Sequence, residues 1–203
     1  MEIEYKNRTI SFTKEPTIYD LLVLEFSEIL QRQKIKHVFV SGYIALLFGR
    51  SRISEDVYLL VERHSFDDFK LLWKTLDKDF YCHNTADAKI AYDKYLDEDL
   101  AIRFSKMDVV IPNIEFKWAA TEQHKQALEE FLTVILNGKA IIISSLEIQI
   151  AYKLYLNSDK DIEDARYLFE LFREKLDLQK LKKEITNLNL SIQDVKSKLG
   201  WEP

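Results

Sequence analysis

One cysteine, four glycines and three prolines in 203 residues set the first limits on this chain. With Cys82 alone, no intrachain disulfide can form, and a reducing cytoplasm is the expected compartment. That cysteine and four scattered histidines, His37, His64, His83 and His124, lack the ligand spacing of a zinc site. No apolar run reaches the roughly 18 residues of a spanning helix, so no membrane segment is expected. The opening residues, Met1 to Lys6, lack the apolar core of a signal peptide. Positive charge is also short: the formal net charge is −5. A dedicated nucleic-acid binder usually presents a basic surface. Any RNA contact here needs a local patch, such as Lys175 to Lys183, set against a repulsive field.

Hydrophobic residues make up 47% of the chain, enough for an ordinary core, and the length suits one domain or one core with an appendage. Residues 2–5 and 9–12 read as a small hairpin. Pro16-Thr17 opens a helix with Ile18, Leu21, Leu22, Phe26, Ile29 and Leu30 on one face. A short strand is expected at 37–41, a short helix at 43–48 stopped by Gly49, and a strand at 56–61. Phe66, Phe69, Leu72, Trp73 and Leu76 mark another amphipathic helix. The middle reads as a helix from Thr85 to Tyr95, a strand over 101–111 and a helix over 118–131. Asn137-Gly138 predicts a hairpin between 133–136 and 140–143, because both residues tolerate positive φ. Ser144-x-x-Glu147 reads as a capping box, and helices follow from there to the C-terminus. These readings predict an α/β domain over 1–143 and a helical C-terminal part over 144–203 packed on it.

The densest signal is the run from Val40 to Leu60. A buried strand ends at Ser41-Gly42. A short apolar helix follows, then a basic loop with Arg50 and Arg52, then a strand beginning Asp56-Val57-Tyr58. This order resembles the nucleotidyltransferases of the DNA polymerase β superfamily, most closely their small prokaryotic minimal and abortive-infection toxin branch. A relative of that branch reads G-G-Y-A, then H-G-R-P-R-A-T-E-D-I-D-L-L, and the run aligns with it without a gap. Lys153-Leu154 and Lys160-Asp161-Ile162-Glu163-Asp164 resemble the same branch's K-L and K-D-x-x-D signature. The likeness covers roughly residues 36–171 and departs at Ser41, Tyr58 and Ser158.

The resemblance implies a small mixed sheet with flanking helices. It also implies Mg²⁺-dependent attack of a hydroxyl on the α-phosphorus of a nucleoside triphosphate. In that chemistry three carboxylates hold the metal, two of them at i and i+2 on one strand face. Carried over, Asp56 is the first carboxylate and Asp108, in Lys106-Met107-Asp108-Val109-Val110, the third. Both are thus the candidate catalytic and metal residues, expected on adjacent strands facing one cleft. Ser41 and Gly42 take the phosphate turn, with Arg50, Arg52 and Lys153 as further phosphate-binding candidates. Tyr58 takes the second carboxylate's place. A phenol with a pKa of about 10 is neutral at pH 7 and a poor ligand for a hard cation.

Structural readings stand beside these. Arg50 and Arg52 suit a solvated loop, and Lys153 suits a side chain snorkelling from an apolar helix. Asp161 suits a first-turn helix charge, and Asp164 a solvated face. Two functions follow. The first is a degenerate nucleotidyltransferase-like protein, non-catalytic or weakly active, that binds a nucleotide or a partner. The second is an active Mg²⁺-dependent enzyme of toxin–antitoxin type, with an RNA or protein acceptor and a cognate antitoxin-like partner.

Overall fold

The computed structural model describes residues 2–201. Its strands are β1 (Glu4–Lys6), β2 (Thr9–Phe12), β3 (His37–Val40), β4 (Asp56–Val61), β5 (Phe80–Cys82), β6 (Ile102–Lys106), β7 (Asn113–Trp118), β8 (Phe131–Leu136) and β9 (Lys139–Ser144). They form one mixed sheet in the order β1-β2-β8-β9-β3-β4-β7-β6-β5. The helices are α1 (Ile18–Arg32), α2 (Gly42–Leu47), α3 (Phe66–Leu76), α4 (Ala88–Lys94), α5 (Glu122–Glu129), α6 (Leu146–Leu156), α7 (Asp159–Phe172), α8 (Leu178–Asn187) and α9 (Ile192–Leu199). The α/β architecture is the one expected. Among the described residues no helix is long and apolar enough to cross a membrane.

Local chemistry explains most boundaries. Asn7 and Arg8 carry φ of 50° and 62°, as do Asn137 (51°) and Gly138 (80°), the left-handed pairs of two-residue hairpin turns. Thr17 caps α1 in a reciprocal box with Asp20. The box expected at Ser144 is not formed: Ser144 ends β9, and Ser145 caps α6 instead. Three readings of the middle change. The strand expected over 101–111 stops at Lys106, because Asp108 is left-handed (φ 63°) and Pro112 has no N–H for a ladder. The helix expected over 118–131 shortens to α5, capped by Thr121: Trp118 still belongs to β7, and Phe131 already begins β8. The helix expected from Thr85 starts after Asp87, whose carboxylate accepts from Lys89 and Ile90 N–H. β5 had no counterpart among the expected elements.

The sheet's two faces differ. Val57, Leu59 and Val61 of β4 and Ile114, Phe116 and Trp118 of β7 point into the main core, which runs from Ile10 to Trp201. Alternate residues point the other way. Only part of that second face is covered, where α5 lays Ala127 and Leu128 over Val38 and Leu60. The uncovered part of the face carries Asp56, Tyr58, Glu115 and Lys117.

Candidate functional site

β4 and β7 are parallel neighbours, with Asp56 beside Asn113 and Tyr58 beside Glu115. β6 continues the row, with Arg103 opposite Glu115. Asp56 and Tyr58 share a face because they are two residues apart on one strand. Asp56 Oδ1 accepts a hydrogen bond from Asn113 Nδ2 at 2.8 Å. The Arg103 guanidinium lies 3.4 Å from Glu115 Oε2 and 3.9 Å from Asp56 Oδ1. Burial raises the Glu115 carboxyl above its usual range; Asp56 adds to this and Arg103 opposes it. Burial, then the negative charges of Glu115 and Asp56, raise the Tyr58 phenol, which stays neutral at physiological pH.

Asp108 does not join this row. It lies in the turn after β6, exposed and beyond the ladder. The carboxylate that faces the same way as Asp56 from the adjacent strand is Glu115, which the sequence reading missed. Its signal was present: Ile114, Phe116 and Trp118 alternate with Glu115 and Lys117, the period of a strand.

The turn at Ser41 enters α2 from β3. Ser41 has φ 66° and ψ −136°, a region that suits glycine. Gln149, buried on α6, clamps both backbone groups: its Oε1 accepts from Ser41 N (3.1 Å) and its Nε2 donates to Ser41 O (2.8 Å). Gly42 has a separate reason to lack a side chain. A Cβ there would meet the Arg52 guanidinium at 2.9–3.1 Å.

Arg50, Arg52 and Lys153 converge on α7. Asp164, fully buried, accepts from Arg50 through one oxygen and from Arg52 through the other. Lys153 Nζ, 1% exposed, lies 2.6 Å from Asp161 and 2.7 Å from Asp164. Glu163 adds a contact to Arg50 at the surface. So Asp164 is not a solvated residue, Lys153 does not snorkel, and the two arginines are pinned rather than free. Burial alone would raise the Asp161 carboxyl; hydrogen bonds from Lys153 and Ser158 outweigh it and hold it below its ordinary value. Ser158 caps α7. Lys160 stands exposed at the cleft's mouth.

Two clefts open on this face. One, of about 420 Å³, is lined by Ser41, Gly42, Arg52, Asp56, Tyr58 and Lys160 among others. The second, of about 330 Å³, is more apolar and includes Leu60, Glu115, Lys117, His124 and Tyr152. They share Ser41, Tyr58 and Leu156. Their sizes fall in the range of small-molecule sites.

The residues do not fit the two Mg²⁺ ions that the resemblance implies. Among the described residues no three His, Cys, Asp or Glu side chains converge as a metal cradle. Tyr58 offers a neutral phenol where a carboxylate is needed, and a guanidinium bridges the carboxylates that remain.

No protein-family model matches the chain, and no curated protein matches it significantly. Solved structures do match. An antigenic nucleotidyltransferase-like protein from Paracoccidioides brasiliensis is 18% identical with a TM-score of 0.55, the match covering 88% of this chain and 90% of that one. The antibiotic-resistance factor ANT(2'')-Ia is 13% identical with a TM-score of 0.53, over 83% of this chain and 90% of its own. The chain has the fold of nucleotidyltransferase-like proteins.

Proposed function

We propose that this nucleotidyltransferase-fold protein binds a nucleotide without carrying out two-metal nucleotidyl transfer. The observation that carries the reading is the row Tyr58–Glu115–Arg103 beside Asp56. It keeps the cleft but replaces one metal carboxylate by a phenol and sets a guanidinium across the others. Loss of a metal ligand removes chemistry more surely than it removes a fold.

The two joined clefts support nucleotide binding. The first brings Arg52 and Lys160 to the Ser41–Gly42 turn, where phosphate oxygens would be received. The second offers Tyr58, Leu60 and Tyr152 to a flat ring and Glu115, Lys117 and Gln123 to its polar edge. Asp56 holds no proton-transfer role in this reading; its bond from Asn113 keeps it a structural acceptor.

A second reading keeps an active enzyme, with an RNA or protein acceptor and a cognate antitoxin-like partner. It is favoured by one observation: Asp56 and Glu115 face the same side of paired strands. Calorimetric titration with the four ribonucleoside triphosphates, in EDTA and in Mg²⁺, tests the first reading. Saturable binding in both conditions is expected, with no labelled product when α-phosphate-labelled triphosphates meet total RNA. Absence of binding by every nucleotide rejects nucleotide recognition. Robust labelling that disappears in Asp56→Ala selects the active enzyme.

A further inference from the structure

Asp56 and Glu115 lie on one face of paired strands, and one guanidinium reaches both. Arg103 stands opposite Glu115 across β6–β7, and Glu115 beside Tyr58 across β7–β4, so three side chains form a row over three strands. From the end of that row Arg103 Nη2 reaches Glu115 Oε2 at 3.4 Å, and its Nε reaches Asp56 Oδ1 at 3.9 Å. The same Asp56 oxygen already takes the Asn113 amide at 2.8 Å. We infer that Arg103 is the resident counter-cation of Asp56 and Glu115, the two carboxylates that a divalent metal would otherwise bridge.

Two like charges on adjacent strands repel, and something positive must lie near both. In a metal-dependent cleft that is a dication. Here it is built into β6, on a residue that the β6–β7 ladder pairs with Glu115 and that adjoins Phe104, which is paired on both sides. A metal entering this space would face a guanidinium on the same carboxylates. It would also have to break the Asn113 bond to reach Asp56. Arginine stays charged at every workable pH, so acid or base does not vacate the position as it would with histidine or lysine. Two features therefore close the cleft to metal, not one. Tyr58 removes a ligand, and Arg103 neutralises the ligands left. Restoring the carboxylate at position 58 by itself leaves the guanidinium in place.

This deepens the nucleotide-binding reading, since it concerns the same cleft, but its test needs no nucleotide. Mn²⁺ binding to the full chain is measured by titration calorimetry and by the loss of free-Mn²⁺ paramagnetic signal. The proteins are the natural chain, Tyr58→Asp, Tyr58→Asp/Arg103→Gln and Tyr58→Asp/Arg103→Lys, each checked for folding by circular dichroism. Arg103 is half exposed, so its replacement leaves the core intact. The double variant with glutamine is expected to bind Mn²⁺ at least about tenfold tighter than Tyr58→Asp, a gain of the size that removing one neighbouring like charge can supply. The lysine variant, which keeps the charge, is expected to resemble Tyr58→Asp. Equal binding by Tyr58→Asp and the glutamine double variant overturns the inference. So does tight Mn²⁺ binding by the natural chain, or a folded double variant that binds no Mn²⁺. Failure of nucleotides to bind would discard the proposed function and leave these metal results standing.

Discussion

Ser41 occupies a backbone conformation that an L-residue adopts at a cost of about 1–3 kcal/mol. Both clamping bonds from Gln149 go to its backbone, so they survive a change of side chain. Glycine would relieve the strain and return about 0.5–1 kcal/mol as unfolded-state freedom. Ser41→Gly is therefore expected to stabilise the protein by about 1 kcal/mol, read as a higher urea midpoint. Asp164 is the opposite case. Its carboxylate is enclosed with Arg50, Arg52 and Lys153, and removing it leaves buried cations without their shared partner. Asp164→Ala is expected to cost about 3–5 kcal/mol in urea unfolding, against less than about 0.5 kcal/mol for the exposed Lys160→Ala. A small loss at Asp164 would mean the network is open to water. The structural reading of Asp161 as a helix-start charge fits its place in the first turn of α7, but Lys153 across from it was invisible in the sequence order.

Among the elements, β7 and α6 matter most to the site. The resemblance places Asp108 on a strand beside Asp56, but β6 ends at Lys106, short of it. Val109, Val110 and Ile111 look like a strand by composition, yet they are exposed in the turn between β6 and β7. Composition there was a weaker guide than alternation, which marks β7 and Glu115 directly. α6 acts at a distance, because Gln149 holds the turn before α2 across 108 residues of chain. Gln149→Leu would leave the Ser41 N–H and C=O without that partner. The expected loss is about 1–3 kcal/mol, with faster amide exchange concentrated in Gly42–Leu47. Exchange that speeds up evenly over the whole chain would instead mean that Gln149 only supports the core.

For the molecule as a whole, pH acts through three histidines whose pKa values burial lowers, His37, His83 and His124, of which His37 is the most buried. It is buried, takes Ser27 Oγ at 3.3 Å on one ring nitrogen and the Ile35 carbonyl at 2.8 Å on the other, and burial lowers its pKa below the ordinary 6.5. Between the folded and unfolded values the unfolded chain binds the extra proton. Stability is then full above pH 6.5 and falls as the pH drops through that value toward the folded pKa. His83 and His124 act in the same sense and Glu115, whose pKa is raised, in the opposite sense nearer its own range, so the His37 share is isolated by comparison with a variant. The natural chain is expected to lose stability between pH 7.5 and 5.5, and His37→Gln to lose less over the same window. Parallel curves for the two proteins would assign the loss elsewhere.

Local order is what the sequence by itself determined. The Asn137-Gly138 turn, the helix opened by Thr17, the helices after Ser158 and the strand–helix–strand order from Val40 to Leu60 depend on φ preferences, caps and spacing within a few residues. Those interactions are short in sequence, so the chain states them openly. The partners of each charge were decided by the tertiary structure alone. It put Glu115 rather than Asp108 beside Asp56's strand, tied Arg50, Arg52 and Lys153 to Asp164, and laid Arg103 between two carboxylates. Strand register and helix docking bring these groups together from positions far apart in the chain, and neither composition nor periodicity encodes which distant residue completes a row.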